Sequence, residues 1–293
     1  MDMRAIAMGV AFAIMWASAF TSARMIVADA PPLTALSLRF LISGFIAVGL
    51  ALASGQNWRL TRIQWIATIV FGLCQNGLYL GLNFVAMQWV EASLAAIIAS
   101  SMPLMVAFAS WVALGERLPP LGLVGLAAGF AGVALIMGTR LTGGGADALG
   151  VALCVVAAVA LTVATLAVRG ATSGGNFLMI VGLQMLIGAA ALALFAIPLE
   201  EWSVSWTWRL AAAFTYTTLV PGLAATWVWF RLVNRIGAVR AATFHFLTPF
   251  FGVAVAWALL GEAMGVWDVI GVTVVMAGIL AVQLSRQRQL TRS

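Results

Sequence analysis

One arginine in this chain stands where an arginine is expensive. Arg39 lies near the middle of an apolar run covering 32–53. A guanidinium at the centre of a membrane helix costs roughly 2.5–3.5 kcal/mol, so it must face a watery cavity or a partner. Two roles fit: orienting a carboxylate, or capping loose carbonyls within the bundle. A second polar feature follows in the next apolar run. Gln75, Tyr79 and Asn83 recur at steps of four, with Asn76 beside them, so they share one helix face. Such a stripe either makes interhelical hydrogen bonds, worth about 0.6 kcal/mol on average in membrane bundles, or lines a path for a solute.

Pro103 and Pro249 mark the middles of two further runs. Each removes a helix hydrogen bond and frees the carbonyl four residues back. Behind Pro249 that carbonyl belongs to His245, the only histidine, with Thr248 beside the proline; behind Pro103 it belongs to Ala99, followed by Ser100 and Ser101. Freed backbone at membrane depth is tolerated only against protein or a water-filled cavity. The pair reads either as hinges lining a pathway or as fixed kinks. His245 has the pKa range to carry a proton or meet a ligand, and a hydrogen-bonded structural histidine fits equally well. Trp16 is the one tryptophan at the midpoint of a run. Thr162 and Thr165 are expected to bond their own backbone.

The elements that must hold these residues are membrane helices. The chain of 293 residues is 63% hydrophobic and 8% charged, with a mean hydropathy of +1.08. No water-soluble core can bury that much apolar surface. Ten runs are about long enough to cross the hydrocarbon: 5–27, 32–53, 63–87, 92–114, 119–138, 147–168, 176–197, 209–231, 238–260 and 265–284. The first run is too long for a signal peptide core and is read as a retained span. Cys74 and Cys154 both lie inside apolar runs, which excludes a disulfide framework. A single histidine excludes a His-rich metal site, and no cofactor is expected.

The runs repeat. A shift of 146 lays Pro103 on Pro249, Gly115-Glu116 on Gly261-Glu262, Gly125 on Gly271 and Gly132 on Gly278. A shift of 145 upstream lays Arg24 on Arg169, Arg39 on Gln184 and Trp16 on Leu161. This is an internal duplication: 1–138 and 147–285 are the two halves, 139–146 a glycine-rich linker and 286–293 a tail. Five spans is an odd number, so the second copy must insert upside down. That is the inverted-repeat plan of many secondary transporters, with the substrate site at mid-membrane between the halves. The predicted fold is therefore all-α, ten transmembrane helices in two inverted five-helix repeats.

Charge sets the orientation. Arg4, Arg59, Arg62, Arg117, Arg169, Arg231, Arg235, Arg240, Arg286, Arg288 and Arg292 fall on the side of the termini, against Arg24, Arg140 and Arg209 on the other. The positive-inside rule then puts both ends in the cytoplasm. Most tryptophans, including Trp111, Trp227, Trp229 and Trp257, sit within about a turn of a span end, as an aromatic belt requires. Arginines spread over successive loops argue against nucleic acid. Glu116 and Glu262 are read as structural, beside the positive end of the next helix. Gly125, Gly129 and Gly132 are read as close helix contacts. No phosphate loop with a lysine appears, and no catalytic constellation assembles from mid-span residues.

These residues carry a resemblance. The doubled block Glu91-Ala-Ser-Leu-Ala-Ala…Met-Pro103…Leu-Gly-Glu116 and Ala238…Thr-Pro249…Leu-Gly-Glu262 resembles the EamA-type repeat of the drug/metabolite transporter superfamily. Trp16-Ala-Ser-Ala-Phe and Leu38-Arg39-Phe40 look like that family's first two helices. Within it, the overall likeness is to bacterial amino-acid exporters. The resemblance implies a central cavity from spans 1–4 and 6–9, approached by Trp16, Arg39, Tyr79, Ser100, Pro103, His245 and Pro249, with Gln75, Asn83 and Thr248 as further polar candidates. It implies a monomer in the bacterial inner membrane exporting amino acids by alternating access. Rival readings are a multidrug exporter of lipophilic cations, a sugar or nucleotide-sugar carrier, a membrane enzyme, and a non-transporting scaffold.

Overall fold

The computed structural model describes residues 2–143, 146–167 and 174–290. Within them the chain forms ten helical spans: α1 (Met3–Asp29), α2 (Pro32–Ala53), α3 (Arg62–Ala86), α4 (Ala92–Leu114), α5 (Pro120–Thr142), α6 (Ala148–Ala167), α7 (Phe177–Leu199), α8 (208–236), α9 (238–260) and α10 (Val266–Leu290). Nine helices among the described residues are long and apolar enough to cross a membrane. The run α8 is diluted by its Thr215-Tyr216-Thr217-Thr218 stretch but is helical from end to end. Helix starts follow local chemistry. Pro32 and Pro120 open α2 and α5, where a missing amide costs nothing. Thr61 and Gln64 form a capping box on α3, satisfying two orphan donors. Gly115 and Gly261 end α4 and α9 at φ +67° and +69°, a left-handed turn that a side chain would strain.

Two boundaries differ from the sequence reading. Helix α5 continues through Thr142 into the stretch that composition marks as linker; Gly144 and Gly145 lie outside the described residues. Helix α10 continues to Leu290, so most of the expected tail is helical. Arg169 and Arg292 also fall outside the described residues. The α10 extension is built of good helix formers, Arg286-Gln-Arg-Gln-Leu290; that of α5 includes Thr139 and Thr142, whose hydroxyls bond carbonyls one turn back.

Packing pairs the spans by their repeat mates: α2 with α7, α5 with α10, and α4 with α9. The first two pairs close over small residues. Gly44 packs on the backbone of Gly182, and Ser37 Oγ donates to Ala189 O at 2.8 Å. Gly125, Gly129 and Gly132 of α5 meet Gly271 and Gly278 of α10. Without a hydrophobic drive between helices in lipid, such backbone proximity supplies the dispersion contacts that hold them.

Contacts at the span ends define two faces. On one, Asp2 pairs with Arg235 and Gln289 Nε2 donates to Arg117 O, so both described chain ends share it. Arg235, with the Ala5 amide, holds the exposed Asp2 carboxyl down at about 2. Gln56 Oε1, also on this terminal face, accepts from Met179 N at the start of α7. On the opposite face Glu200 accepts from Leu33 N and Thr34 N of α2, and Glu262 from Ala92 N and Ser93 N of α4. The sequence reading set Glu262 beside the next helix. It caps α4 in the other half instead, where the Ala92 and Ser93 amides are buried and need an acceptor, whereas the start of α10 is open to solvent.

The α5–α10 contact yields a stability test. A Cβ on Gly278 would lie 2.6 Å from Gly125 O and from Gly129 N, whereas one on Gly138 meets nothing within 4 Å. Gly278→Val should destabilise by about 1–3 kcal/mol through overpacking, while Gly138→Ala should be neutral or gain up to about 1 kcal/mol. Thermal unfolding in detergent reads both.

Candidate functional site

The site is built on two helices that are not regular. Helix α3 is π-helical over Gly72–Tyr79, and α8 over Val220–Ala224. The repeat shift lays Gln75 on Pro221, so the two widened turns are mates. Such π turns recur at functional sites because the extra residue re-aims side chains. In α8 the cause is Pro221, which has no amide to offer the Thr217 carbonyl. Arg39 Nε crosses from α2 and donates to that oxygen at 3.2 Å. Ser43 Oγ, one turn along α2, donates to Thr218 O at 3.4 Å.

Arg39 is 5% exposed, and no carboxylate ion-pairs with it among the described residues. One charged hydrogen bond returns about 1.5–3 kcal/mol, similar to what burying the guanidinium costs. Its remaining donors make no hydrogen bond among the described residues. The guanidinium carbon lies 5.0 Å from the Phe40 ring centroid, and Arg39 borders a narrow central cavity of about 50 Å³, shared with Trp16, Phe20, Tyr79, Asn83 and Pro221. Tyr79 is fully buried, and its hydroxyl makes no hydrogen bond among the described residues. Asn83 Nδ2 donates to Tyr79 O at 2.8 Å, and its Oδ1 is buried without a partner. An orphan acceptor of this kind costs about 1–3 kcal/mol.

A larger cavity of about 650 Å³ opens to the terminal face. Pro103, Thr165, Trp229 and His245 reach its deep end, and Glu116, Arg117 and Arg286 its mouth. An aromatic cluster stands between the two cavities. The His245 ring lies 5.3 Å from Phe12, 5.2 Å from Trp229 and 6.3 Å from Trp16, each edge to face. Edge-to-face packing of this kind favours a fixed wall. Trp16 thus borders the central cavity on one side and touches His245 on the other.

The opposite face carries a polar cavity, also about 650 Å³, bordered by Arg24, Glu91, Arg209 and Glu262. Beside it Arg140 joins three partners: Glu91, Asp268 at 3.0 Å, and Ala263 O at 3.0 Å. Burial lifts the Glu91 carboxyl above the ordinary carboxylate range; Arg140 pulls it down, while Glu262 and Asp268 push it up. The cluster ties α5 and the α3–α4 loop of one half to the start of α10 in the other.

Several expectations need correction. Pro249 does not leave the His245 carbonyl loose, because residues 243–247 tighten into a 3₁₀ turn and Thr248 N donates to it. Ser100 does not face the cavity; its hydroxyl bonds Ile97 O at 2.7 Å, as Ser101 bonds Ile98 O. Gln75 is half-buried and borders neither cavity. Thr248 Oγ1 is buried and unpartnered, yet away from both cavities. Pro103 borders the terminal-face cavity, while Pro249 is buried in packing. Thr162 and Thr165 bond their own helix, as expected.

Trp229 was assigned to the belt and stands instead in the aromatic wall, with Phe12 4.7 Å away. The repeat offered a signal, since the shift of 146 lays Trp229 on Asn83. Ser18 and Tyr216, which share a hydrogen bond of 2.7 Å between α1 and α8, had no comparable signal. No cluster of three potential metal ligands occurs among the described residues.

Known proteins resemble this chain over most of its length or over part of it. The uncharacterised transporter YvbV of Bacillus subtilis is 28% identical over 278 residues, covering 94% of this chain and 90% of its own. The S-adenosylmethionine/S-adenosylhomocysteine transporter of Chlamydia muridarum is 32% identical over 137 residues, 46% of this chain and 42% of its own. A solved crystal structure superimposes with a TM-score of 0.68 at 22% identity, covering 98% and 99% of the two chains, which supports the fold alone. None of these names amino-acid export. The EamA-like transporter family model matches residues 3–138 and 148–284, one helical half each. With ten spans, mated π turns and a cavity between the halves, the chain belongs to the EamA-like transporter family.

Proposed function

We propose that this transporter exports amino acids and related zwitterions across the bacterial inner membrane by alternating access, with both chain ends cytoplasmic. The observation that carries the reading is the central cavity. A partly spent guanidinium meets flat aromatic surface there, from Arg39, Trp16 and Tyr79. Arg39 suits a carboxylate, and the aromatic walls suit an apolar side chain. The same positive charge weighs against lipophilic cations, which the aromatic lining alone would favour. A relative named for S-adenosylmethionine, itself an amino-acid derivative, is in keeping with this cargo class.

In alternating access the two closures differ in kind. The wall of Phe12, Trp16, Trp229 and His245 separates the central cavity from the terminal face. The Arg140 cluster closes the opposite face between the halves. At about 50 Å³ the central cavity is contracted around a site that must widen to admit an amino acid. Every acid of the sequence lies at a span end or in a loop, so transport follows the substrate gradient, with any proton coupling routed through His245. The protein works as a monomer.

Three outcomes test this. In liposomes holding only the purified protein, Arg39→Met should cut amino-acid flux by about tenfold or more, the loss of one charged contact, and lower the melting temperature as Thr217 O loses its donor, while Arg39→Lys, which keeps the charge, should retain more of the flux. If flux persists, the site is elsewhere. Trp16→Ala should expose Ala19→Cys to a thiol reagent from the terminal face about tenfold faster, as 1.4 kcal/mol off an opening step gives. The same substitution should leave Ala23→Cys unchanged from the other face. Because burial raises the Glu91 pKa, Glu91 takes its proton at a higher pH than an ordinary carboxylate. Lowering pH through the acid range should then free Arg140 of one partner and speed labelling of Ala23→Cys from the opposite face. Glu91→Gln should show the faster rate at neutral pH and no acid dependence.

A further inference from the structure

We infer that the Asn83 amide oxygen accepts the ammonium group of the substrate while Arg39 takes its carboxylate, so that Asn83 selects α-amino acids over their deaminated analogues. The inference rests on reading the central cavity as the amino-acid site. Three observations carry it. The first is orientation. Asn83 Nδ2 donates to Tyr79 O at 2.8 Å; turning the amide over would set two oxygens against each other, so Oδ1 is fixed as the atom left free of the helix. The second is isolation. Asn83 borders the cavity, is 1% exposed, and its Oδ1 has no partner. A buried acceptor held without a donor is explained when a ligand supplies one.

The third is charge. No carboxylate borders the central cavity, whose charged group is Arg39. A zwitterion entering it has its carboxylate drawn to the guanidinium. Its ammonium is repelled from the same group and must find a neutral acceptor. Asn83 Oδ1, which has no partner, and the Tyr79 hydroxyl, which makes no hydrogen bond among the described residues, are the side-chain acceptors in the lining. A neutral acceptor also leaves the site with one positive charge, so a substrate lacking the carboxylate has nothing to offset Arg39. A site made to receive an N–H rejects the analogue that lacks it, because its own acceptor is then left unpaired.

Competition in proteoliposomes tests this with three probes: L-phenylalanine, 3-phenylpropionate, which lacks the amine, and phenethylamine, which lacks the carboxylate. The readout is inhibition of labelled L-phenylalanine exchange. In the wild type, L-phenylalanine should compete better than either analogue, by roughly tenfold or more. Asn83→Leu should bring L-phenylalanine down to the level of 3-phenylpropionate, whose own inhibition stays unchanged. Asn83→Gln, which keeps both an N–H donor and an amide oxygen, should retain preference for the amine. Both variants are first matched to wild type by size-exclusion profile. If Asn83→Leu weakens both acids equally, or preserves the tenfold ratio, the Asn83 assignment fails alone. If the wild type exchanges no amino acid, the amino-acid reading of the cavity fails and the assignment with it.

Discussion

Hydrocarbon offers no hydrogen bonds, and the structure turns on how one carbonyl is satisfied there. Pro221 deprives Thr217 O of its usual donor, and Arg39 supplies one from α2. With the Ser43–Thr218 contact one turn along, this bond ties two spans from different halves together at depth. It also accounts for an arginine that insertion energetics disfavour, since the guanidinium serves the backbone with one nitrogen and the side chain borders the cavity. The two readings of Arg39 drawn from sequence, structural and functional, are therefore compatible. Proline and arginine form one device, divided between repeats that are otherwise mates.

The asymmetry of the repeats follows the same logic. Both halves have a π turn at the corresponding place, yet the central cavity is bordered almost wholly by α1, α2 and α3, with Pro221 the contribution of α8. Trp16 has Leu161 as its mate and Arg39 has Gln184. The first half supplies the polar and aromatic surface of the cavity, and the second supplies the bent backbone against it. Duplication gave a two-fold frame, and divergence placed the chemistry on one side of it.

Span number, repeat shift and small-residue contacts were legible because each depends on composition or spacing alone. Gly125, Gly129 and Gly132 pack as their spacing implied. The meeting of Trp16, Arg39, Tyr79 and Asn83 was foreshadowed by the cost of polar groups in lipid. What stayed hidden were choices among partners. Ser100 had a hydroxyl to spend and spent it on its own helix, a local option always in competition with a cavity. His245 kept its carbonyl bonded because a 3₁₀ turn costs less than an exposed oxygen. Trp229 lies near enough to a span end to pass for a belt residue, and only the packing of α8 against α1 distinguishes the two.

The caps that cross between halves bear on how the protein is made. The amides at the start of α2 and α4 are closed by Glu200 and Glu262, carboxylates encoded 166 to 170 residues later. A nascent chain whose first five helices have entered the membrane therefore waits with those ends bare. Their carboxylates come later and at different times, Glu200 with the end of α7 and Glu262 with the end of α9, and until then water must serve those amides. A chain truncated between the halves would keep both helix starts without the carboxylates that close them in the whole protein.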